Sequence, residues 1–182
     1  MFKKQKPPKH ILFIGEKTET RDYIIDVIKE NALDPKEKTP LYTFSTEEPV
    51  FDQELRDALL RKTDGTIFLV NSSKMDELSK IKEYLWEMFV WNNGSVNIPA
   101  LIASYNAEKA IALTSSEIIE AFSLIRLTDR LWNVMEIHEN KKEDILACFN
   151  WLDEYIEVLG IKPKVLKKKS SSTKTKKTEK KK

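Results

Sequence analysis

The chain has 182 residues, of which 41% are hydrophobic and 33% charged, and its formal net charge is +2. Its one cysteine, Cys148, excludes a framework of internal disulfides. No apolar run approaches the ~18 residues that span a bilayer. Because no long apolar segment or cleavage site follows the basic start and residue 2 is Phe rather than Gly, we expect neither a secretory signal nor N-myristoylation.

Charge is distributed unevenly along the chain. Residues 162–182 contain eleven lysines and one glutamate and carry +10, residues 1–10 carry +4, and residues 11–161 therefore carry −12. We predict a basic arm over residues 1–9, a folded domain over residues 10–161 and a Lys-rich tail after it. The tail is expected to be disordered because it has too few apolar side chains to offset the entropy of ordering. The acidic domain disfavours nucleic acid on its globular surface.

Apolar runs alternate with helical patterns through the domain. In chain order they predict a strand at residues 11–14, a helix at 23–33, a strand at 41–44, a helix at 54–61, a strand at 66–70, a helix at 76–90, a strand at 98–103, a helix from Thr114 or Ser115 to 121, a strand at 132–137 and a helix at 142–159. This alternation is typical of an α/β fold with a mainly parallel sheet and helices on both faces. Ligands bind such sheets at the carboxyl ends of the strands.

Five segments carry a family resemblance. Residues 64–70 have the sequence Asp-Gly-Thr-Ile-Phe-Leu-Val, residues 98–102 Ile-Pro-Ala-Leu-Ile, residues 113–118 Leu-Thr-Ser-Ser-Glu-Ile, residues 127–132 Leu-Thr-Asp-Arg-Leu-Trp, and residues 150–152 Asn-Trp-Leu. In this order the body, over most of residues 9–158, resembles the Arf and Arf-like branch of the small GTPases. Residues 98–102 are in the position of the strand that leads to the family's guanine loop. The resemblance implies a three-layer P-loop GTPase-like fold. The matching residues are nearly all structural, so the fold carries over with more force than the chemistry.

The phosphate-binding loop of that family follows the pattern Gly-x4-Gly-Lys-Ser/Thr, in which backbone N–H groups and the lysine hold phosphate and the hydroxyl binds Mg²⁺. Here residues 15–22 have the sequence Gly-Glu-Lys-Thr-Glu-Thr-Arg-Asp. Gly15 is kept, whereas Thr20, Arg21 and Asp22 replace the second glycine, the lysine and the hydroxyl. A side chain at Thr20 crowds a turn that suits glycine, and the planar fork of Arg21 is not the point charge of a lysine.

The switch segments of the family are also altered. The second switch carries Asp-x-x-Gly followed by Gln, and Ser45, Glu48 and Pro49 occupy the corresponding positions. Only about 20 residues separate Arg21 from Phe44, fewer than the family uses, and the segment contains no Pro-Thr-x-Gly. We therefore expect the first switch and the second strand of the family to be deleted.

The guanine-binding loops differ as well. The family pattern Asn-Lys-x-Asp is replaced by Tyr-Asn-Ala-Glu at residues 105–108, so that Asn106 and Glu108 are the remaining polar candidates. A glutamate at 108 could still accept hydrogen bonds from a guanine edge, although it is one methylene longer than aspartate. The last loop, usually Ser/Cys-Ala in the family, is here His138 followed by Glu139.

With all five nucleotide elements altered and the scaffold kept, we expect a pseudo-GTPase: a non-catalytic Arf-like interaction or scaffold module that needs no cofactor. The alternative is a divergent small GTPase that holds GTP or GDP with Mg²⁺ weakly through a degenerate pocket. That pocket comprises Gly15, Thr20, Arg21, Asp22, Asn106 and Glu108. Four acidic side chains distinguish the two hypotheses: Glu16, Glu19, Glu47 and Glu48. If they point into the pocket they oppose phosphate binding, and if they point to solvent nucleotide binding remains open.

Candidate interaction residues lie outside the pocket. Trp86 and Trp91 are five positions apart on one predicted helix and cannot share a narrow stripe. Either one indole is exposed and suits a protein partner, or both pack in the core or under a loop. Lys167, Lys168 and Lys169 begin a cluster suited to an anionic surface, whether acidic lipid, a tubulin tail or nucleic acid. No zinc-type ligand spacing is present, since His10 and His138 are far apart. We expect an intracellular protein in the cytoplasm, at the cilium or cytoskeleton, or on a membrane surface.

Overall fold

The computed structural model describes residues 8–32, 42–47, 52–90, 98–139 and 141–159. Its elements in chain order are β1 (Lys9–Ile14), α1 (Glu19–Asn31), β2 (Tyr42–Glu47), α2 (Gln53–Leu60), β3 (Gly65–Asn71), α3 (Met75–Phe89), β4 (Ala100–Tyr105), α4 (Ser115–Phe122), a 3-10 turn (Leu124–Arg126), β5 (Trp132–Ile137) and α5 (Lys142–Leu159). The strands form one five-stranded sheet in the order β2-β1-β3-β4-β5. Every pairing in it is parallel, as the sequence pattern predicts.

Helices cover both faces of the sheet and create two apolar layers. One layer packs α1 and α5 against Ile11, Phe13 and their neighbours. The other packs α3, α4 and the end of α2 against Leu12, Ile14 and the alternate residues of the same strands. Because side chains alternate between the two faces of a strand, the continuous apolar run of β1 supplies both layers. This arrangement confirms the predicted three-layer architecture.

Most element boundaries differ from the prediction by one to four residues, and two of these differences bear on the candidate site. α1 begins at Glu19 rather than at residue 23, because the side chain of Thr18 caps the helix by accepting a 3.0 Å hydrogen bond from the backbone N–H of Arg21. β2 continues to Glu47, which lies opposite Ile14 at the end of β1. Both differences lie at the carboxyl edge of the sheet, where the phosphate loop and the second switch were expected.

The predicted loss of a strand between α1 and β2 stays a prediction. β2 pairs with β1 in parallel register, and no further strand is seen in the parts of the chain that the structure describes. Residues 33–41, which link α1 to β2, lie outside those parts.

The Asp-Arg-Leu-Trp segment at residues 129–132, part of the family resemblance, is explained by packing. The guanidinium of Arg130 lies 3.8 Å from the ring centre of Phe89 on α3 and is paired with Asp129 at 2.8 Å. The indole N–H of Trp132 donates to the carbonyl of Leu127 at 3.1 Å. These contacts join α3 to the start of β5, so the motif stabilises the scaffold.

Thr114 caps α4 in a capping box with Glu117, as expected.

Among the described residues, no helix is long and apolar enough to cross a membrane.

Candidate functional site

The candidate pocket lies where the loops after β1, β3, β4 and β5 meet at the carboxyl edge of the sheet. The loop after β1 approaches β3 closely at Gly15, which is buried. A Cβ added to Gly15 would lie 2.7 Å from the carbonyl oxygen of Leu69. Glycine at this position is therefore explained by the contact between backbone segments, independently of phosphate.

Arg21 turns back into the loop that precedes it. Its side chain is only 7% exposed. One terminal guanidinium nitrogen donates to the carbonyl oxygen of Gly15 at 3.0 Å, while Nε and the other terminal nitrogen donate to Asp22 Oδ1 at 3.1 and 3.0 Å. The cation predicted to face a phosphate is thus satisfied by the protein itself.

Backbone N–H groups at the start of α1 are also hydrogen-bonded within the chain. The Thr18 hydroxyl accepts from the N–H of Arg21, and its carbonyl accepts from the N–H of Asp22 at 3.0 Å. Thr20 is exposed on the outside of the first turn. Two of the amides that an anion at this helix terminus would use are therefore occupied.

Tyr105, at the end of β4, packs beside the loop after β1. Its side chain is buried in the α1/α5 layer, and its hydroxyl lies beside the side chain of Thr18. Burial raises the pKa of Tyr105, and the neighbouring Thr18 hydroxyl opposes that rise only in part. Tyr105 therefore stays neutral and fills space next to the phosphate loop.

Asn106 faces a neighbouring strand. Its backbone has a φ of +61°, in the left-handed region that asparagine tolerates better than most residues. Its side-chain amide donates to Asn71 Oδ1 at 3.0 Å, which links the ends of β4 and β3.

Glu108 is hydrogen-bonded to the loop after β5. Glu108 Oε2 accepts a hydrogen bond from the backbone N–H of Glu139 at 3.1 Å. The ring Nδ1 of His138 lies 2.8 Å from Asp144 Oδ2, and the His138 backbone N–H donates to the same oxygen. Burial would raise the pKa of Asp144, but these hydrogen bonds outweigh it and hold that pKa below its usual value. Glu108, the acceptor expected to meet a base, is thus hydrogen-bonded within the chain.

Two of the four discriminating acids can be located. Glu16 is half-buried and pairs with Lys80 of α3 at 3.0 Å, whereas Glu19 is exposed in the first turn of α1. The side chain of Glu47 and all of Glu48 lie outside the described residues. The paired Glu16 still places a carboxylate beside the loop.

Ser45 does not stand at the edge where the second-switch aspartate was expected. It lies within β2, opposite Leu12 of β1, and its hydroxyl is 2.9 Å from Nε2 of His10. The comparison with the family motif missed this because β2 continues three residues further than predicted. Pro49 and Trp91 also lie outside the described residues, as do Lys167, Lys168 and Lys169.

Trp86 is half-buried rather than freely exposed. Its indole N–H donates to the carbonyl of Phe122 at 2.7 Å, and the Arg126 guanidinium lies 5.4 Å from its ring centre. Trp86 and Arg126 line a groove of about 270 Å³ at the far end of α3 from the candidate pocket.

At the positions of the family's nucleotide motifs, the side chains of Arg21, Asp22 and Glu108 are engaged within the chain. The loop cation is turned inward, Asp22 is paired with it, and the base-side acceptor is bound to a backbone amide. Within the described ranges, no group of three or more His, Cys, Asp or Glu side chains is arranged to hold a metal ion.

Sequence reasoning missed three residues of this site: Leu69, Lys80 and Tyr105. Tyr105 was visible only as a replacement for a family asparagine. No local signal marks Lys80, whose partner Glu16 is 64 positions away. Such contacts depend on the register of the sheet, which periodicity does not provide.

A parallel sheet with these helices and loops defines a protein of the small-GTPase fold class. The fold is similar to that of the Arl6 BBS3 small GTPase from Trypanosoma brucei, solved with the bound nucleotide analogue GppNp. The two share a TM-score of 0.63 and 17% identity over 84% of this chain and 99% of that chain.

The sequence model of the ADP-ribosylation factor family matches residues 53–156, more than half of the chain. ADP-ribosylation factor F of Dictyostelium discoideum is 25% identical over 93 residues, which cover 50% of this chain and 49% of the relative. The chain thus spans about half the length of the curated relative it matches. This protein belongs to the ADP-ribosylation factor family. The matched segment begins after residues 15–22.

Proposed function

We propose that the protein is a non-catalytic, Arf-like interaction module that does not cycle between GTP and GDP forms. It would act through protein partners and would hold one conformation. The family membership supplies the scaffold, and the altered loops supply the reason for a different use of that scaffold.

The observation that carries this proposal is the position of the Arg21 guanidinium. It is buried against the Gly15 carbonyl and balanced by the Asp22 carboxylate. A triphosphate that recruited Arg21 would have to break these hydrogen bonds and leave Asp22 facing the anion. Like charges at about 4–6 Å cost on the order of 1–4 kcal/mol at intermediate dielectric, which opposes binding.

The loops after β4 and β5, which would meet the guanine base, support the same proposal. Guanine recognition by Glu108 would require the loss of its hydrogen bond to the Glu139 amide. Exposed Glu139 would add a further acidic side chain beside the base. A ligand would therefore have to replace internal contacts on both sides of the pocket.

The alternative is weak binding of GTP or GDP with Mg²⁺. It is favoured by family membership, by the retained Gly15, and by the likeness to a fold that carries a nucleotide analogue in the Arl6 BBS3 structure. In this reading, Arg21 swings outward and Glu108 releases Glu139 when nucleotide arrives.

Thermal unfolding with millimolar GTP or GDP, in Mg²⁺ and again in EDTA, separates the two functions. A ligand at about 100 times its dissociation constant stabilises by about 2.7 kcal/mol, which raises the melting temperature by a few degrees for a chain of this size. We expect no shift. A Mg²⁺-dependent rise would support the alternative and overturn the proposal.

The tail adds a second part to the proposal, which rests on sequence alone. A cluster of lysines attached to an acidic domain is suited to tether the module to an anionic surface such as acidic lipid, a tubulin tail or nucleic acid. Cytoplasmic, ciliary or membrane-peripheral placement follows from whichever surface is bound.

A further inference from the structure

Five separate contacts connect neighbouring segments along the carboxyl edge of the sheet. Glu16 reaches Lys80 on α3, Thr18 reaches Tyr105 at the end of β4, and Asn106 reaches Asn71 at the end of β3. Arg21 joins the start of α1 to Gly15, and Glu108 joins the loop after β4 to the loop after β5. We define these five links as the edge latch.

We propose that Arg21 and Glu108 act as internal ligands of the pocket and that the edge latch holds the loops in a closed arrangement without any bound nucleotide. This inference rests on the proposed function and deepens it. It says why the domain keeps ordered loops after losing the motifs that would hold a ligand.

The chemistry of Arg21 suits an internal ligand. A guanidinium stays charged at all relevant pH values and presents five donors in a fixed plane. Each of its three nitrogens donates to Gly15 or Asp22. The side chain is 7% exposed, and its charge is balanced by Asp22, whose Oδ1 lies 3.0 Å from a terminal guanidinium nitrogen. A buried charge is tolerated when it is paired and hydrogen-bonded. A lysine would offer one nitrogen on a flexible stem and would not bridge the two partners in one plane.

Glu108 plays the matching role on the base side. Its carboxylate accepts from a backbone N–H, a charge-assisted hydrogen bond that is stronger than one between neutral groups. The left-handed turn at Asn106 and its hydrogen bond to Asn71 fix the start of the same loop. The loop is therefore fixed at both ends, to β3 and to the loop after β5.

The remaining links connect the phosphate side to the rest of the edge. Tyr105 is 3% exposed and brings its hydroxyl to Thr18, the residue that caps α1. Glu16 and Lys80 add an ion pair between the loop after β1 and α3. Because the pair is partly exposed, as is the Glu108 contact, we expect both to contribute less than the buried Arg21 contacts.

Amide hydrogen exchange on the full chain tests the latch. We would compare the wild type with Arg21→Met and with Glu108→Ala. The matched controls are Lys17→Met, an exposed cation in the same loop, and Glu120→Ala, an exposed carboxylate on α4. Loss of a charge-assisted hydrogen bond should raise local exchange about tenfold or more.

We expect Arg21→Met to increase exchange in residues 15–22 and Glu108→Ala to increase it at residues 106–113 and 138–139. Exchange in β3 serves as the internal reference, since it rises only when the whole domain loosens. Both control variants should match the wild type. If Arg21→Met fails to fold, Arg21→Lys keeps the charge, removes the planar bridge and should still raise exchange in residues 15–22.

Two results separate failure of the latch from failure of the proposed function. Wild-type exchange in both target variants, together with no nucleotide effect on the wild type, would overturn the latch and leave the non-catalytic proposal standing. Slower exchange of wild-type residues 15–22 on adding GTP and Mg²⁺ would overturn both, because a ligand would then do what the latch is proposed to do.

Discussion

Gly15 lies so close to Leu69 that a Cβ at position 15 would be 2.7 Å from the Leu69 carbonyl oxygen and 3.1 Å from its Cβ. Both partner atoms belong to a strand in the centre of the sheet and cannot move as a flexible side chain would. The one glycine kept from the phosphate-loop pattern is thus required by the packing of the loop on β3. Its retention is not by itself an argument for nucleotide binding.

Gly15→Ala should therefore destabilise the ligand-free protein. Overpacking a well-packed site typically costs about 1–3 kcal/mol, so the midpoint of urea unfolding should fall at an unchanged slope. Gly65→Ala is the matched comparison, because its nearest atom is the terminal methyl of Ile156 at 2.6 Å. That methyl can rotate away, so we expect a smaller loss. Equal stability of wild type and Gly15→Ala would show that the loop is not held as described.

Arg130→Lys should lower the free energy of unfolding. The change removes the stacking on Phe89 and the hydrogen bonds to Asp129 and to the Phe89 carbonyl, and a desolvated cation–π contact alone is worth about 2 kcal/mol. The control is Arg126→Lys, in which an exposed cation 5.4 Å from the Trp86 ring is changed. Urea denaturation should separate the two variants, and similar losses in both would contradict this assignment.

The scaffold could be predicted from the sequence to a large extent. The bounds of β5 and α5 follow directly from their apolar patterns, and α3 and β3 differ from prediction by a residue at each end. The start of α1 was misplaced because residues 18–22 were interpreted by comparison with a phosphate loop. Thr18 carries an ordinary helix-capping signal, which that comparison obscured.

The state of the pocket could not be predicted from the sequence. The substitutions at Arg21 and Glu108 are visible in the sequence, but their partners are set by three-dimensional contacts. The Glu139 amide that binds Glu108 is 31 positions away and has no side-chain signature. The direction of the Arg21 side chain is likewise a rotamer choice that residue type alone does not determine.

Cys148 should be inert in the folded protein. It is 1% exposed, and burial raises its pKa to about 12, so almost no thiolate exists near pH 8. A thiol-specific reagent should therefore label the native chain very slowly and the guanidinium-unfolded chain fully. Rapid labelling under native conditions would mean that α5 opens far more readily than its packing indicates.

Asp144 should contribute to stability in a defined pH range. Its pKa is lowered by the hydrogen bonds from His138, which outweigh burial, and nearby Lys141 acts in the same direction. A carboxylate with a depressed pKa stabilises above its unfolded value, about pH 4, and the effect is lost as the pH falls through the lowered pKa.

Denaturation at several pH values checks this assignment. Asp144→Asn should be less stable than the wild type near neutral pH, and the difference should shrink below about pH 4. Asp26→Asn, at an exposed position on α1, is the control and should show little change. A difference that is constant across this range would rule out ionisation as its cause.

Removal of residues 162–182 should abolish binding to anionic vesicles without changing the thermal unfolding of the domain. The association should weaken steeply with salt, because each lysine near an anionic surface contributes about 1 kcal/mol that is screened within a Debye length. Replacing Lys167, Lys168 and Lys169 with glutamine should give an intermediate loss. Parallel titrations with a tubulin-tail peptide and with RNA identify the preferred surface, and salt-independent binding would contradict the electrostatic account.

The most direct test of the central claim is isothermal titration of the purified, EDTA-treated protein with GDP and with GTP in the presence of Mg²⁺. An ADP-ribosylation factor with an intact phosphate loop, treated identically, is the positive control. We predict no saturable binding up to millimolar nucleotide, because the Arg21 and Glu108 contacts already satisfy the pocket. Saturable, Mg²⁺-dependent binding that is lost in Arg21→Met would contradict the claim and make this protein a divergent nucleotide-binding member of its family.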